Sequence, residues 1–164
     1  DDTLAEDFPE LKVIQRGFGG SQMEDLLYYA DRIILPYKPS KVVIYEGHND
    51  IADGKEPAQV ARHFETLVKK IHAKLPQTEI YYIAIKPSPS RWKLAQPSPA
   101  AHALIEGYAE RSPRVEYIDI WTPMLDEEGQ PRPELFVKDM LHMNEEGYAI
   151  WVEVLKPHLE PSGE

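Results

Sequence analysis

The chain has 164 residues, no cysteine and a formal net charge of −10. This length suits one domain with its own core, and the lack of thiols excludes disulfides, thiolate zinc sites and cysteine nucleophiles. The negative charge argues against nucleic acid or an anionic membrane as the main partner, and no apolar run reaches membrane-spanning length. The compartment and the oligomeric state stay open.

Short apolar runs alternate with helical patterns along the first half of the chain. Residues 11–14 predict a strand, and Met23–Ile33 predict a helix with one apolar face. Residues 41–45 form a continuous apolar run, which is typical of a strand covered on both faces. Residues 57–75 then show the period of an amphipathic helix.

The second half of the chain repeats this alternation. The pattern predicts a strand at 80–85, a helix at 99–110 and a strand at 115–120. Glu116 and Asp119 place the last of these strands nearer an edge of the sheet. Asn144 is a plausible N-cap for a final amphipathic helix.

Alternating strands and helices predict a parallel sheet with helices on both faces. Ligands of such sheets bind beyond the carboxyl ends of the strands. Four polar segments are expected at that edge, one after each strand: residues 17–20, residues 47–50, residues 86–92, and Asp139 with His142. We therefore expect one site formed by loops that are far apart in the chain.

Residues 16–21 (Arg-Gly-Phe-Gly-Gly-Ser) join the first strand to the first long helix. Glycine N–H groups beside a helix start can bind a phosphate or the oxyanion of an acyl-transfer intermediate. Ser21 with Glu24 forms a capping-box pattern, which predicts a helix cap rather than a nucleophile. The glycines do not complete a dinucleotide-binding fingerprint, and alone such a loop is more often only a tight turn.

Residues 47–50 (Gly-His-Asn-Asp) follow the second strand. The Asn49 amide can donate to a developing oxyanion, while Asn and Asp are also ordinary turn residues. A metal site is a weaker interpretation, in which an extended chain places Glu46, His48 and Asp50 on one face.

Asp139 lies three residues before His142, a spacing that lets a carboxylate orient an imidazole. A neutral histidine can accept a proton from an attacking hydroxyl and return it to the leaving group. The spacing alone is common and usually marks a surface pair. Ser88 and Ser90 do not lie in a nucleophile elbow.

Together these blocks resemble the SGNH (GDSL) hydrolase superfamily of esterases. The resemblance implies a single domain over residues 1–164 with a three-layer α/β/α, flavodoxin-like fold. It implies that Gly20 and Asn49 supply an oxyanion hole, that His142 is the base and that Asp139 is its partner. Short acyl esters, with acetylated sugars and lysolipids among them, are the implied substrates, and no metal or cofactor is required.

Residues 86–92 and 141–148 resemble a bacterial esterase branch of the same superfamily. Arg91 and Trp92 are candidate substrate contacts in the first of these segments, although a packed or solvent-facing role is about equally well supported. His48 stands where the family more often has Asp or Thr, so it bears on the shape of the pocket.

The family's nucleophilic serine belongs to a block after a first strand, and this sequence has neither that block nor that strand. In a strand order of 2-1-3-4-5, the missing strand lies in the middle of the sheet. We therefore expect the biological chain to be longer at its N-terminus and to carry the serine there. The alternatives are an inactive relative that binds a carbohydrate or another small ligand, and a phosphate-binding protein that uses residues 17–20.

Overall fold

The computed structural model describes residues 4–159. It contains three parallel strands, β1 (Lys41–Ile44), β2 (Glu79–Ile83) and β3 (Val115–Ile118), in the order β1-β2-β3. The helices of the described residues are α1 (Leu4–Asp7), α2 (Met23–Ile33), α3 (His48–Ala52), α4 (Pro57–Lys74), α5 (Ser98–Ala109) and α6 (Glu145–Leu159). The predicted α/β class with a parallel sheet is confirmed.

Successive side chains of a strand point to opposite faces of the sheet, and they pack into two cores, one on each face. Ile80 and Tyr82 of β2 pack with α2, α4 and α5. Tyr81 and Ile83 point the other way and pack with α6, with Phe8 and with the long segment after β3. The sheet therefore lies between two helical layers, and β2 is buried at its centre.

Residues 11–14 do not form a strand, so that prediction is wrong. The segment has no regular structure, and Val13 and Ile14 are 40% and 49% exposed. A strand is stable only when its N–H and C=O groups pair with a neighbour, and no described strand flanks this segment.

The prediction that residues 41–45 are covered on both faces holds only in part. Ile44 is buried, but Val43 is 42% exposed. The reason is that β1 is an edge strand of the described sheet and α6 covers only part of its second face. On that face Lys41 donates to the His158 and Leu159 carbonyls, and the Tyr45 ring meets Trp151.

Of the two helix N-caps predicted from the sequence, Asn144 and Ser21, the structure confirms one. The Asn144 Oδ1 accepts from the Gly147 N–H at 3.1 Å, so the cap of α6 is confirmed. Ser21 is not the cap of α2, because the helix begins one residue later with Gln22 as its cap and Asp25 completing the capping box. The Ser21 hydroxyl is used elsewhere.

Candidate active site

A pocket of about 480 Å³ lies at the carboxyl ends of the strands. All four predicted loops contribute to its wall, with Gly20, Asn49, Arg91 and His142 among the lining residues. Parallel strands deliver their following loops to one edge of the sheet, which explains why segments more than 100 residues apart meet here.

The Asp139 and His142 side chains are hydrogen-bonded, with 2.6 Å between the Asp139 Oδ2 and the His142 Nδ1. The second oxygen of Asp139 accepts from the Leu141 and His142 N–H groups at 2.8 and 2.9 Å. These bonds, first of all the one to the His142 ring, lower the pKa of Asp139 to about 2. The carboxylate is therefore ionised at neutral pH. The His142 Nε2 has no hydrogen-bond partner among the described residues.

Gly20 and Asn49 are far from this pair in the sequence and line the same pocket as His142. The Asn49 Nδ2 donates to the Ser21 carbonyl at 2.9 Å, which joins α3 to the glycine-rich loop. Gly20 has a φ of 76°, a left-handed conformation that favours glycine, and its N–H has no acceptor within residues 4–159.

Asp50 holds the same two segments together from inside. Its side chain is fully buried, accepts from the Met23 N–H at 3.0 Å and pairs with the Lys55 ammonium at 3.3 Å. The Met23 N–H is one of the unsatisfied donors at the start of α2, so the buried carboxylate also faces the positive end of a helix.

The metal interpretation assumed an extended chain at residues 46–50, and that assumption is wrong. Gly47, with a φ of 109°, turns the chain into the short helix α3. The three candidate ligands are then engaged separately: Glu46 with Ser21, His48 with Arg91 and Ser88, and Asp50 with Met23. No group of three or more His, Asp or Glu side chains suited to a metal ion occurs among the described residues.

Arg91 reaches into the pocket and bonds two of its neighbours through one nitrogen. Its Nη1 lies 2.9 Å from the Asn49 Oδ1 and 3.0 Å from the His48 Nδ1. Because a guanidinium can only donate, the His48 proton must lie on Nε2, which faces the Ser88 Oγ at 3.3 Å. Burial, assisted by Lys86 and Arg91, lowers the pKa of His48 to about 3, so this ring is neutral.

Trp92 does not line the pocket. A single turn of 3-10 helix at Pro89–Arg91 directs Arg91 inwards, and the next side chain falls outside the site. The Trp92 ring lies against Trp121, with 5.5 Å between the ring centroids.

Three lining residues were given no part in catalysis or substrate binding from the sequence: Tyr45, Glu46, which was named only as a possible metal ligand, and Lys86, which was named only within the segment 86–92. Each follows a strand within three residues, which is the signal that could have identified them. The pKa of Glu46 is raised, mainly by burial. The bond of 2.5 Å from the Ser21 hydroxyl acts in the opposite direction and only partly offsets it. Burial also lowers the pKa of Lys86, to about 8.

No serine of residues 4–159 is hydrogen-bonded to the His142 ring. The Ser21 hydroxyl bonds the Phe18 carbonyl and Glu46, Ser88 faces His48, and Ser90 donates to the Met140 carbonyl. Across the part of the chain that the structure describes, no helix is long and apolar enough to span a membrane.

The sequence matches the GDSL-like Lipase/Acylhydrolase family over residues 1–150. No curated protein matches the chain in sequence. Solved structures share the fold. A protein from Streptococcus pneumonia, provisionally described as a platelet activating factor, has a TM-score of 0.84 and 23% identity over 96% of this chain and 77% of its own.

Two further structures are similar over most of the chain. A GDSL-like lipase from Bacteroides thetaiotaomicron has a TM-score of 0.79 and 22% identity, covering 96% of this chain and 80% of its own. A family 3 carbohydrate esterase from Clostridium thermocellum has a TM-score of 0.70 and 16% identity, covering 87% and 67%.

The buried carboxylate allows a test of what supports the pocket. We expect Asp50→Ala to lower the free energy of unfolding by about 2–4 kcal/mol, because it leaves the Met23 N–H without an acceptor and the Lys55 ammonium with one partner fewer. Urea unfolding followed by circular dichroism measures the change. Asp53→Ala is the control, because Asp53 is exposed at the end of α3 and its carboxylate accepts only a solvent-exposed bond from the Gln22 side chain, so its loss should change the stability by less than about 1 kcal/mol. Equal losses in both variants would contradict this account.

Proposed function

Because the chain belongs to the GDSL-like Lipase/Acylhydrolase family, we propose that it hydrolyses a carboxylic ester through an acyl-enzyme intermediate on a serine. The observation that carries this proposal is the Asp139–His142 pair in a pocket that Gly20 and Asn49 also line. This pocket brings together an oriented base and two candidate N–H donors for an oxyanion.

His142 is the proposed base. With the Nδ1–H bonded to Asp139, the Nε2 carries the lone pair that accepts the proton of the attacking hydroxyl. The resulting imidazolium is stabilised by the ionised Asp139 and then protonates the leaving alcohol. The same ring activates water when the acyl-enzyme is hydrolysed.

The oxyanion donors in this proposal are the Gly20 N–H and the Asn49 carboxamide. Asn49 uses one Nδ2 hydrogen on the Ser21 carbonyl and its oxygen on Arg91, so one hydrogen remains for the substrate. One such donor is worth about 3 kcal/mol of barrier lowering in a comparable hydrolase.

We place the nucleophilic hydroxyl on a serine upstream of Asp1. Two observations support this assignment besides the family. No serine of residues 4–159 bonds His142, and the outer edge of β1 has no pairing strand among the described residues. Val43 of β1 is also an exposed apolar side chain.

Short acyl esters are the proposed substrates, since the pocket of about 480 Å³ suits a small ligand. The similarity in fold to a carbohydrate esterase makes acetylated sugars a reasonable first panel. The full-length protein and a chromogenic acetyl ester provide the simplest assay.

Removal of the base should abolish most turnover. We expect His142→Gln to lower kcat/KM for the acetyl ester by about 10²–10⁴-fold, because the hydroxyl loses its proton acceptor. His158→Gln is a matched control, since His158 is also bonded to a carboxylate, Glu116, at 2.5 Å but lies outside the pocket. Undiminished activity in His142→Gln would remove this ring from the mechanism.

A serine-directed fluorophosphonate locates the nucleophile independently. We expect it to label full-length protein once, and peptide mapping to place the adduct upstream of Asp1, because an activated hydroxyl attacks phosphorus as it attacks an acyl group. An adduct on Ser21 or Ser88 would contradict the upstream assignment. A folded protein that takes up no probe and cleaves no ester would favour a ligand-binding relative without catalysis.

Arg91 is the proposed positioning residue for Asn49. We expect Arg91→Gln to lower kcat by about 10-fold or more with little change in KM, because the carboxamide loses the bond that orients it. The cycle with Asn49→Ala supplies the decisive measurement: if Arg91 acts through Asn49, the double variant loses little more than Asn49→Ala alone. Fully additive losses would contradict that coupling, and Arg132→Gln, outside the pocket, serves as the control.

A further inference from the structure

Lys86 is a half-buried cation in the pocket, and it has no counter-ion in the part of the chain that the structure describes. The chain has 28 acidic and 18 basic side chains, and several other lysines are paired: Lys41, Lys55, Lys69 and Lys70. Among the described residues no carboxylate lies within ion-pairing distance of Lys86 or Arg91. Two cations without acidic partners among the described residues therefore lie in the wall of the same pocket.

The neighbours of Lys86 do not neutralise it. Its ammonium lies 5.5 Å from the centre of the Tyr45 ring, which offers only a cation–π contact. Asp139 acts on Lys86 over a longer distance, but its two oxygens are occupied by the His142 ring and two backbone N–H groups. Glu46 lines the pocket as well, and its carboxyl is bonded to Ser21.

A cation in this position is costly to the unliganded protein. Burial, together with the charge of Arg91, lowers the pKa of Lys86 to about 8. At neutral pH most Lys86 side chains are therefore still protonated. A half-buried charge without an ionic partner loses part of its hydration, and a cation–π contact replaces only some of it. A negatively charged ligand in the pocket would supply the missing partner.

Arg91 has donors left for such a ligand. Its Nη1 is occupied by Asn49 and His48, whereas its Nη2 and Nε have no acceptor among residues 4–159. Both cations come from the segment that follows β2, and both line the pocket that holds Asn49 and His142. An anionic group bound by these two cations would therefore belong to the substrate whose ester bond is cleaved in the same pocket.

We propose that Lys86, with the free donors of Arg91, forms an anion-binding subsite, and that the physiological ester carries a carboxylate or phosphate group. This inference rests on the proposed ester hydrolysis and adds to it the charge of the substrate. It makes Lys86 a specificity-determining residue rather than part of the chemical step.

Acetyl esters that share one aromatic ring and differ in the para substituent test the selectivity. The full-length protein is assayed with phenyl acetate, para-acetoxybenzoate and para-acetoxyphenyl phosphate, which differ in charge at one position. We expect Lys86→Met to lower kcat/KM for the anionic esters by at least about tenfold and to leave phenyl acetate within about twofold. The better of the two anionic esters in the wild type identifies the carboxylate or the phosphate as the group that is recognised.

Two variants control for structure. Lys93→Met removes an exposed lysine near the same segment but outside the pocket, and we expect it to behave as the wild type. Lys86→Arg keeps the charge and should retain most of the preference for anionic esters. Equal losses for neutral and anionic esters in Lys86→Met, or a preference that survives the loss of charge, would overturn the subsite.

Binding without turnover separates this inference from the proposed hydrolysis. The corresponding amides, para-acetamidobenzoate, para-acetamidophenyl phosphate and neutral acetanilide, are titrated into the same variants by calorimetry. Tighter binding of an anionic amide, weakened at least about tenfold by Lys86→Met, supports the subsite even if no ester is cleaved. If the wild type binds neither anionic amide more tightly than acetanilide, the subsite is wrong, whatever the esters show.

Discussion

The buried carboxylate of Asp50 is the interaction on which the rest of the site depends. It accepts from the Met23 N–H at the start of α2 and pairs with Lys55, while its neighbour Asn49 bonds the Ser21 carbonyl. These contacts join the glycine-rich loop to α3 across 27 residues of sequence. The loop is otherwise exposed and has no regular structure before Gly19. Without this anchor, the N–H of Gly20 and the amide of Asn49 would have no defined relation to each other.

The sheet explains why the anchored loops share a pocket with the Asp139–His142 pair. β2 is central and buried on both faces, so it fixes the position of residues 86–91 at the carboxyl edge of the sheet. Because β1 and β3 run parallel to β2, residues 45–49 and the long segment after β3 begin at the same edge. The pair itself requires little tertiary support, because the Asp139 oxygens bond the ring and backbone of residues only two and three positions away. A locally built pair is thus placed by a rigid scaffold.

Charge in this protein is distributed unevenly. The chain is acidic overall, yet the pocket wall holds Lys86 and Arg91 without acidic partners among the described residues. Burial keeps His48 neutral beside them, and repulsion from the charges of Lys86 and Arg91 acts in the same direction. The guanidinium of Arg91 donates to two neighbours through Nη1, and its remaining nitrogens keep their donors for a ligand.

Local patterns in the sequence were enough to predict α2 to the residue, the cap of α6 at Asn144 and the edge position of β3. These features depend on contacts within a few residues or on the period of apolar side chains, so the sequence alone determines them. Residues 11–14 have the pattern of a strand but no neighbouring strand within residues 4–159 to pair with. Trp92 turns away from the pocket because of the turn before it. The anchoring role of Asp50 and the unpaired charge of Lys86 also arise only in the folded chain. Both depend on which distant groups lie within a few ångströms, and that is decided by tertiary packing.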